Sequence, residues 1–248
     1  MRCRVVVYLI VIAILGAFAY LGVSADRKSF VGSLFAAFVS VAVILFVEAE
    51  LRPQISIAQE TVPPIWPNGR KFLRVIVANR ALWWPLKLVM DRRPVYQARA
   101  WITFLNEANA PVFGPQRVMT GRWANTPVPL RPLSISSSPG GPPVIGFIWD
   151  LSATRDAVDI GAGNTEVLDI VMRDQGEDGC HGWHNLMISR PGETPPEDLF
   201  DLSKGRYHAL VRVDASGRST KALFRIVCNV GIEDFRLESI RERLPRGL

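Results

Sequence analysis

Leu202-Ser-Lys-Gly205-Arg-Tyr207-His-Ala-Leu-Val-Arg-Val213 decides the fold class, because a turn signal runs straight into a segment whose character alternates residue by residue. Period-two alternation puts successive side chains on opposite faces and reads as a half-buried strand. Asp214-Ala-Ser-Gly217 then supplies a turn into a further strand ending Phe224-Arg-Ile-Val-Cys228. Outward from there, Gln54–Ala58, Phe72–Ala78, Val95–Leu105, Val144–Asp150 and Thr165–Met172 read the same way, with Ala98, Ala100 and Ile102 alternating with Arg99, Trp101 and Thr103. Pro, Gly, Asn and Ser clusters punctuate these runs. Seven or eight short strands without helical stretches between them predict an antiparallel all-β sandwich over residues 51–230, with a β-barrel as the alternative. Only Ile232–Leu244, with Phe235, Ile240 and Leu244 set among Glu and Arg, reads as helical, which makes 231–248 a short helical tail.

The first fifth of the 248-residue chain is a different material: all 18 prolines lie at or after Pro53, and only seven charged residues fall in the first 50. Val5–Ala25 and Ser29–Val47 carry no charge. About 19 helical residues span ~28 Å, near the ~30 Å hydrocarbon core of a bilayer. The expectation is a two-helix transmembrane hairpin over residues 1–50, turning at Asp26-Arg27-Lys28. Arg2 and Arg4 followed by Val23-Ser24-Ala25 also resemble a signal peptide, although the apolar run is longer than usual for one. Arg2, Arg4 and Arg52 outside the hairpin against Arg27 and Lys28 in its turn favour cytoplasmic termini, hence an integral membrane protein with a cytoplasmic domain. Gly32, Ala36 and Ser40 form a stripe of small residues that matches Ala13 and Ala17, suited to packing within the hairpin or to a homo-oligomer seam. No ionisable group lies within either run, which argues against a proton or ion pathway.

Leu202, Gly205 and Tyr207 form a Leu-x-x-Gly-x-Tyr motif at the entry to a late strand. This motif resembles the tyrosine corner of immunoglobulin-like and fibronectin type III-like sandwiches, a likeness of fold that covers residues 54–229. The resemblance implies a Tyr207 hydroxyl bonded back to nearby backbone, and it transfers no activity. Cys3, Cys180 and Cys228 lack the Cys-Trp-Cys spacing of antibody domains, so an inter-sheet disulfide of that kind is not expected. Three cysteines also cannot make a secreted disulfide framework.

The strand order places the loop 80–94 and the turn 214–221 at one end of the sandwich, facing the membrane. Trp83 and Trp84 with Lys87, Arg92 and Arg93 suit lipid contact there, since Trp settles at headgroups and basic residues favour anionic lipid. The opposite end carries the long irregular stretch 173–206, whose Cys180, His181, Trp183 and His184 are the candidate surface for an unknown protein partner. Residues 125–143, rich in Pro, Ser and Gly, read as flexible.

Cys180, His181 and His184 are also the only concentration of metal-ligating side chains, but no second pair with ligand spacing accompanies them, so no metal and no cofactor is expected. Gly161-Ala-Gly163-Asn164 lacks the third glycine and the following helix of a dinucleotide site. Glu166 and Asp169 lie three apart on a strand, hence on opposite faces, and do not pair for acid–base work. From Arg52 onward, 25 basic minus 20 acidic residues give +5, too mild and dispersed for nucleic acid. The expected function is a membrane-anchored binding or scaffolding module. One alternative is a sensor in which a ligand, lined by Trp101, Trp123 and Trp149, drives hairpin association. The other is a metal-dependent enzyme built on Cys180, His181 and His184.

Overall fold

The computed structural model describes residues 16, 28–61, 69–84, 86–125, 130–135, 144–149, 156–183, 200–229 and 231–240. The chain divides into two units, Met1–Arg52 and Pro53–Leu248. The described part of the first is helix α1, Lys28–Leu51. The second holds β1 Ile55–Gln59, β2 Lys71–Asn79, β3 Val95–Leu105, β4 Met119–Thr120, β5 Arg122–Trp123, β6 Leu130–Ile135 and β7 Val144–Trp149. It continues with β8 Ala157–Ile160, β9 Thr165–Arg173, β10 Cys180–Gly182, β11 Asp201–Leu202, β12 Arg206–Ala215, β13 Arg218–Val227 and β14 Arg236–Ser239.

Two antiparallel sheets carry the fold. Sheet A runs β1-β2-β9-β10-β11 with β5 also on β9, and sheet B runs β14-β13-β12-β3-β4 with β8 also on β3. Alternation supplies the core between them. Val75 and Val77 from β2 and Leu168 and Ile170 from β9 share one cluster with Ala100, Ile102 and Phe104 from β3, Val211 and Val213 from β12, and Phe224 and Ile226 from β13. The β12–β13 hairpin pairs from Arg206↔Val227 to Ala215↔Arg218. Its turn residues Ser216 and Gly217 have φ of 50° and 72°, both left-handed, which matches the twist of a two-residue hairpin. Between β4 on sheet B and β5 on sheet A the chain changes sheets at Gly121, where an added Cβ would lie 2.9 Å from Leu168 and 3.0 Å from Ala100.

The turn before β12 has the geometry that its motif implies. The Tyr207 hydroxyl donates to the Ser203 carbonyl at 3.1 Å and lies 3.0 Å from the Ser203 hydroxyl. The Tyr207 ring packs over Gly205, where a Cβ would sit 3.3 Å from it. Leu202 is buried on β11.

Three expectations are corrected. Among the described residues no helix is long and apolar enough to cross a membrane. The first apolar run, Val5–Ala25, lies outside the described residues apart from residue 16. The two-helix transmembrane hairpin, the integral-membrane localisation and the cytoplasmic placement that rested on it are therefore withdrawn. Ser40 lies exposed on α1; the side chains of Gly32 and Ala36, and all of Ala13 and Ala17, lie outside the described residues.

The described part of the tail, 231–240, is not the helix expected. Ile232–Asp234 makes a single 3-10 turn, and β14 then pairs with β13 from Phe224↔Ser239 to Val227↔Arg236. Phe235 and Leu237, two apart and both buried, set the period of a strand, and the free edge of β13 supplies its hydrogen bonds. Lys71 Nζ holds the 3-10 turn through the carbonyls of Ile232 at 2.9 Å and Glu233 at 2.8 Å. The third correction concerns 125–143, which contains β6, paired with β7 in a separate two-stranded ribbon. Pro132 discourages a strand reading, but a two-stranded ribbon tolerates proline on an unpaired side.

Tyr207→Phe should lower the unfolding temperature by about 2–4 °C, the effect of one lost hydrogen bond worth ~1 kcal/mol. Thermal and urea unfolding of the variant would check this, and an unchanged midpoint would show the corner to be dispensable.

Candidate functional site

The candidate surface begins with a β-bulge. β2 pairs with β9 as Leu73↔Val171 and then Arg74↔Asp169, so Ile170 is the extra residue. Strand alternation, with Leu168 facing the core, decides where its neighbour points. Here Asp169 points to the outer face of sheet A, where Arg74 Nε donates to one carboxylate oxygen at 2.6 Å and an Arg122 Nη to the other at 3.0 Å. Burial pushes the Asp169 carboxyl above its ordinary range, and the two guanidiniums act against that rise.

Strand β10 meets this bulge edge-on: Trp183 N–H donates to the Ile170 carbonyl at 3.0 Å. Alternation along β10 turns Cys180 and Gly182 into the core and leaves His181 and Trp183 on the outer face. Trp183 stands edge-to-face against Phe72 at 5.4 Å between centroids. The guanidiniums of Arg70 and Arg122 lie 5.8 and 6.0 Å from its ring centroid. Arg70 is itself fixed by two bonds to Asp174, at 2.7 and 2.8 Å. The hydrogen bond from Arg70 is the main reason the Asp174 carboxyl is held below its usual range. The Trp183 indole N–H is buried and has no acceptor among the described residues.

His181 sits beside this patch between two carboxylates. Its Nδ1 lies 2.6 Å from Asp201 and its Nε2 3.1 Å from Glu177. Burial works to lower its pKa, but the Asp201 hydrogen bond and the Glu177 charge outweigh that, so the imidazolium persists above the ordinary histidine range. Both ring nitrogens are then donors, and the ring staples the β9–β10 turn to β11.

The sequence cluster Cys180, His181, Trp183 and His184 is thus split. Cys180 is a free thiol buried in the same core cluster as Cys228. His181 faces outward toward carboxylates at opposite ring edges, which cannot converge on one ion. His184 lies outside the described residues. Among the described residues no group of three His, Cys, Asp or Glu side chains is arranged to hold a metal. The three tryptophans proposed for a pocket do not converge either. Trp123 is fully buried in the core, while Trp101 projects from the outer face of sheet B beneath Arg212; the Trp149 side chain lies outside the described residues.

The loop after β2 presents a second surface. Leu82 and Arg92 are buried, whereas Trp83, Trp84, Leu88 and Val89 are exposed, Trp84 at 74% and Val89 at 80%. Lys87 and Arg93 are exposed beside them. Arg80 and the β12–β13 turn residues Arg218 and Thr220 line one cavity, so the two segments do share an end of the sandwich.

Sequence reasoning missed Arg70, Phe72, Arg74, Arg122 and Asp169, because no local motif joins residues that meet only through the β2–β9–β5 pairing. The signal that was available is the polar Asp169 inside the apolar run Val167–Val171.

No family model and no curated protein matches the chain. Among solved structures, a family 123 glycoside hydrolase from Clostridium perfringens, whose structural analysis concerns glycolipid glycan hydrolysis, aligns at 10% identity with a TM-score of 0.31. The alignment covers 77% of this chain and 28% of that one, so this chain spans well under a third of its length. A likeness at that score carries no argument.

The protonated His181 binds its proton more tightly in the native than in the unfolded state. Its contribution is therefore complete below the unfolded histidine value of ~6.5 and is lost as pH rises through the higher native value. His181→Gln should lower the unfolding temperature by about 1–3 °C at pH 5.5 relative to the parent, and by less at pH 8.5. Melting curves of both proteins across that range test the sign, and a difference that grows with pH would refute the staple.

Proposed function

We propose that this chain is a binding module whose β-sandwich is of the immunoglobulin and fibronectin type III kind, and that its partner is a protein segment bearing carboxylates. The fold reading is supported by the Tyr207 corner and by the two antiparallel sheets. The observation that carries the binding reading is Trp183. Its ring is held by Phe72 under two guanidiniums, and its buried N–H has no acceptor among the described residues. An aromatic anchor with arginines is the composition of interface hot spots. A partner carboxylate would accept from the indole and sit in the field of Arg70, Arg74 and Arg122. An enzyme reading has less support, because both nitrogens of His181 are committed to carboxylates and Cys180 faces the core.

Fluorescence anisotropy with length-matched acidic, neutral and basic peptides tests this. The acidic peptides should bind most tightly, and Trp183→Ala should weaken them at least about tenfold, the effect of a hot-spot residue. Trp101→Ala, on the other sheet, should leave binding unchanged. Equal binding of all three peptides, or insensitivity to Trp183→Ala, would overturn the proposal.

A second reading is favoured by the exposed Trp83, Trp84, Leu88 and Val89 beside Lys87 and Arg93: peripheral contact of this loop with an anionic lipid surface. That contact needs no spanning helix. The full chain with Trp83→Ala and Trp84→Ala should then cosediment less with anionic vesicles than the parent does. Unchanged cosedimentation by a folded variant would remove lipid as a partner.

A further inference from the structure

We propose that Cys180 and Cys228 are a reversible dithiol–disulfide pair that ties sheet A to sheet B, with a low-molecular-weight disulfide as oxidant. Both side chains are fully buried in the same core cluster. They come from different sheets: Cys180 opens β10 in sheet A, and Cys228 directly follows β13 in sheet B. One short turn brings them together. Cys180 pairs with Leu202 on β11, and three residues on the Cys228 N–H donates to the Gly205 carbonyl at 2.9 Å. Both are free thiols in that part of the core.

Their surroundings divide the roles. The neighbouring Cys180 thiol lowers the Cys228 pKa; burial opposes this, and the nearby charges of Arg173 and His181 add to the lowering. Arg173 is anchored by two bonds to the Glu177 carbonyl, at 2.9 and 2.6 Å, so its charge stays in place. Cys180 is pushed well up by the neighbouring Cys228 and by burial. An attacking thiolate beside a protonated resolving thiol is the arrangement that thiol–disulfide exchange requires.

The Cys228 thiolate attacks one sulfur of the small disulfide, forming a mixed disulfide and releasing one small thiolate. The Cys180 thiol then loses its proton and attacks the Cys228 sulfur, which closes the protein disulfide and releases the second small thiolate. The two protein thiols are oxidised by two electrons, and the external disulfide is reduced to two thiols. Access requires opening of β10 and β11, which are three and two residues long at the end of sheet A and so belong to the least stable part of it.

The test uses the full chain equilibrated with reduced and oxidised glutathione over a range of ratios. Equilibrium is approached both from the reduced protein and from protein oxidised in urea and refolded. After alkylation and digestion, a peptide pair joined through Cys180 and Cys228 should appear from both directions. Cys3 is followed separately through its own peptide. The oxidised protein should melt about 5–10 °C above the reduced one, since the bond closes a long loop, and a dithiol reductant should reverse the gain. In Cys180→Ser the oxidant-dependent gain should vanish. Alkylation of both cysteines at every ratio from both directions would overturn the proposal, as would adducts with glutathione alone or a gain that survives Cys180→Ser.

Discussion

A buried carboxylate sets the layout of the outer face of sheet A. Asp169 is almost wholly enclosed, and an ion in that position costs several kcal/mol unless its partners are close and well aimed. Arg74 and Arg122 meet that condition, and each belongs to a different neighbour of β9. Strand β5 is only two residues long and joins sheet A through β9 alone, with Arg122 opposite Asp169 in register. Its attachment therefore depends on that charge as much as on the ladder. Alternation from the core-facing Leu168 turns the carboxylate outward, and the bulge residue Ile170 is itself taken up by the core. The same bulge leaves the Ile170 carbonyl to receive the N–H of Trp183. Strand β9 thus places an ion pair, a short strand and an aromatic anchor side by side.

The strand period then sorts the chemistry of β10. Cys180 and His181 are adjacent in sequence, which suggests a shared site, yet adjacency on a strand puts two side chains on opposite faces. The thiol goes inward to meet Cys228, and the imidazole goes outward to meet Glu177 and Asp201. A metal site or a cysteine–histidine pair needs both on one side. What remains outward, His181 and Trp183, is two residues apart and joins the arginine patch. The partner surface proposed for the 173–206 stretch thus has a physical basis in two of its four residues, while the other described one belongs to the interior.

Legibility follows from how local each signal is. Val95–Leu105 was read with its final bounds because eleven residues of alternation leave little freedom. The Tyr207 corner was legible because its hydrogen bond spans four residues. The tail was misread, since Phe235, Ile240 and Leu244 fit a helical stripe when taken alone. The unpaired edge of β13, which decides the matter, comes from a strand that precedes it by nine residues and cannot be weighed from composition. The arginine face was invisible because Arg74, Arg122 and Asp169 lie 48 and 47 positions apart in turn.

The tail strand also explains why interaction surfaces fall where they do. Gln59 at the end of β1 donates to the Leu237 carbonyl at 2.5 Å and accepts from the Ser239 N–H at 3.1 Å, so one side chain joins the edge of sheet A to the edge of sheet B. Exposed strand edges invite pairing with other chains, and a covering strand with a side-chain bridge removes that option on this flank. Strand addition at β13 is likewise blocked by β14. Recognition on this side must therefore use side chains on a sheet face or in a loop. The Trp183 face of sheet A offers a desolvated donor and several cations, and the 80–94 loop offers exposed apolar area. The first surface favours charge and hydrogen bonding and the second hydrophobic burial, so the two differ in chemistry even though one domain carries both.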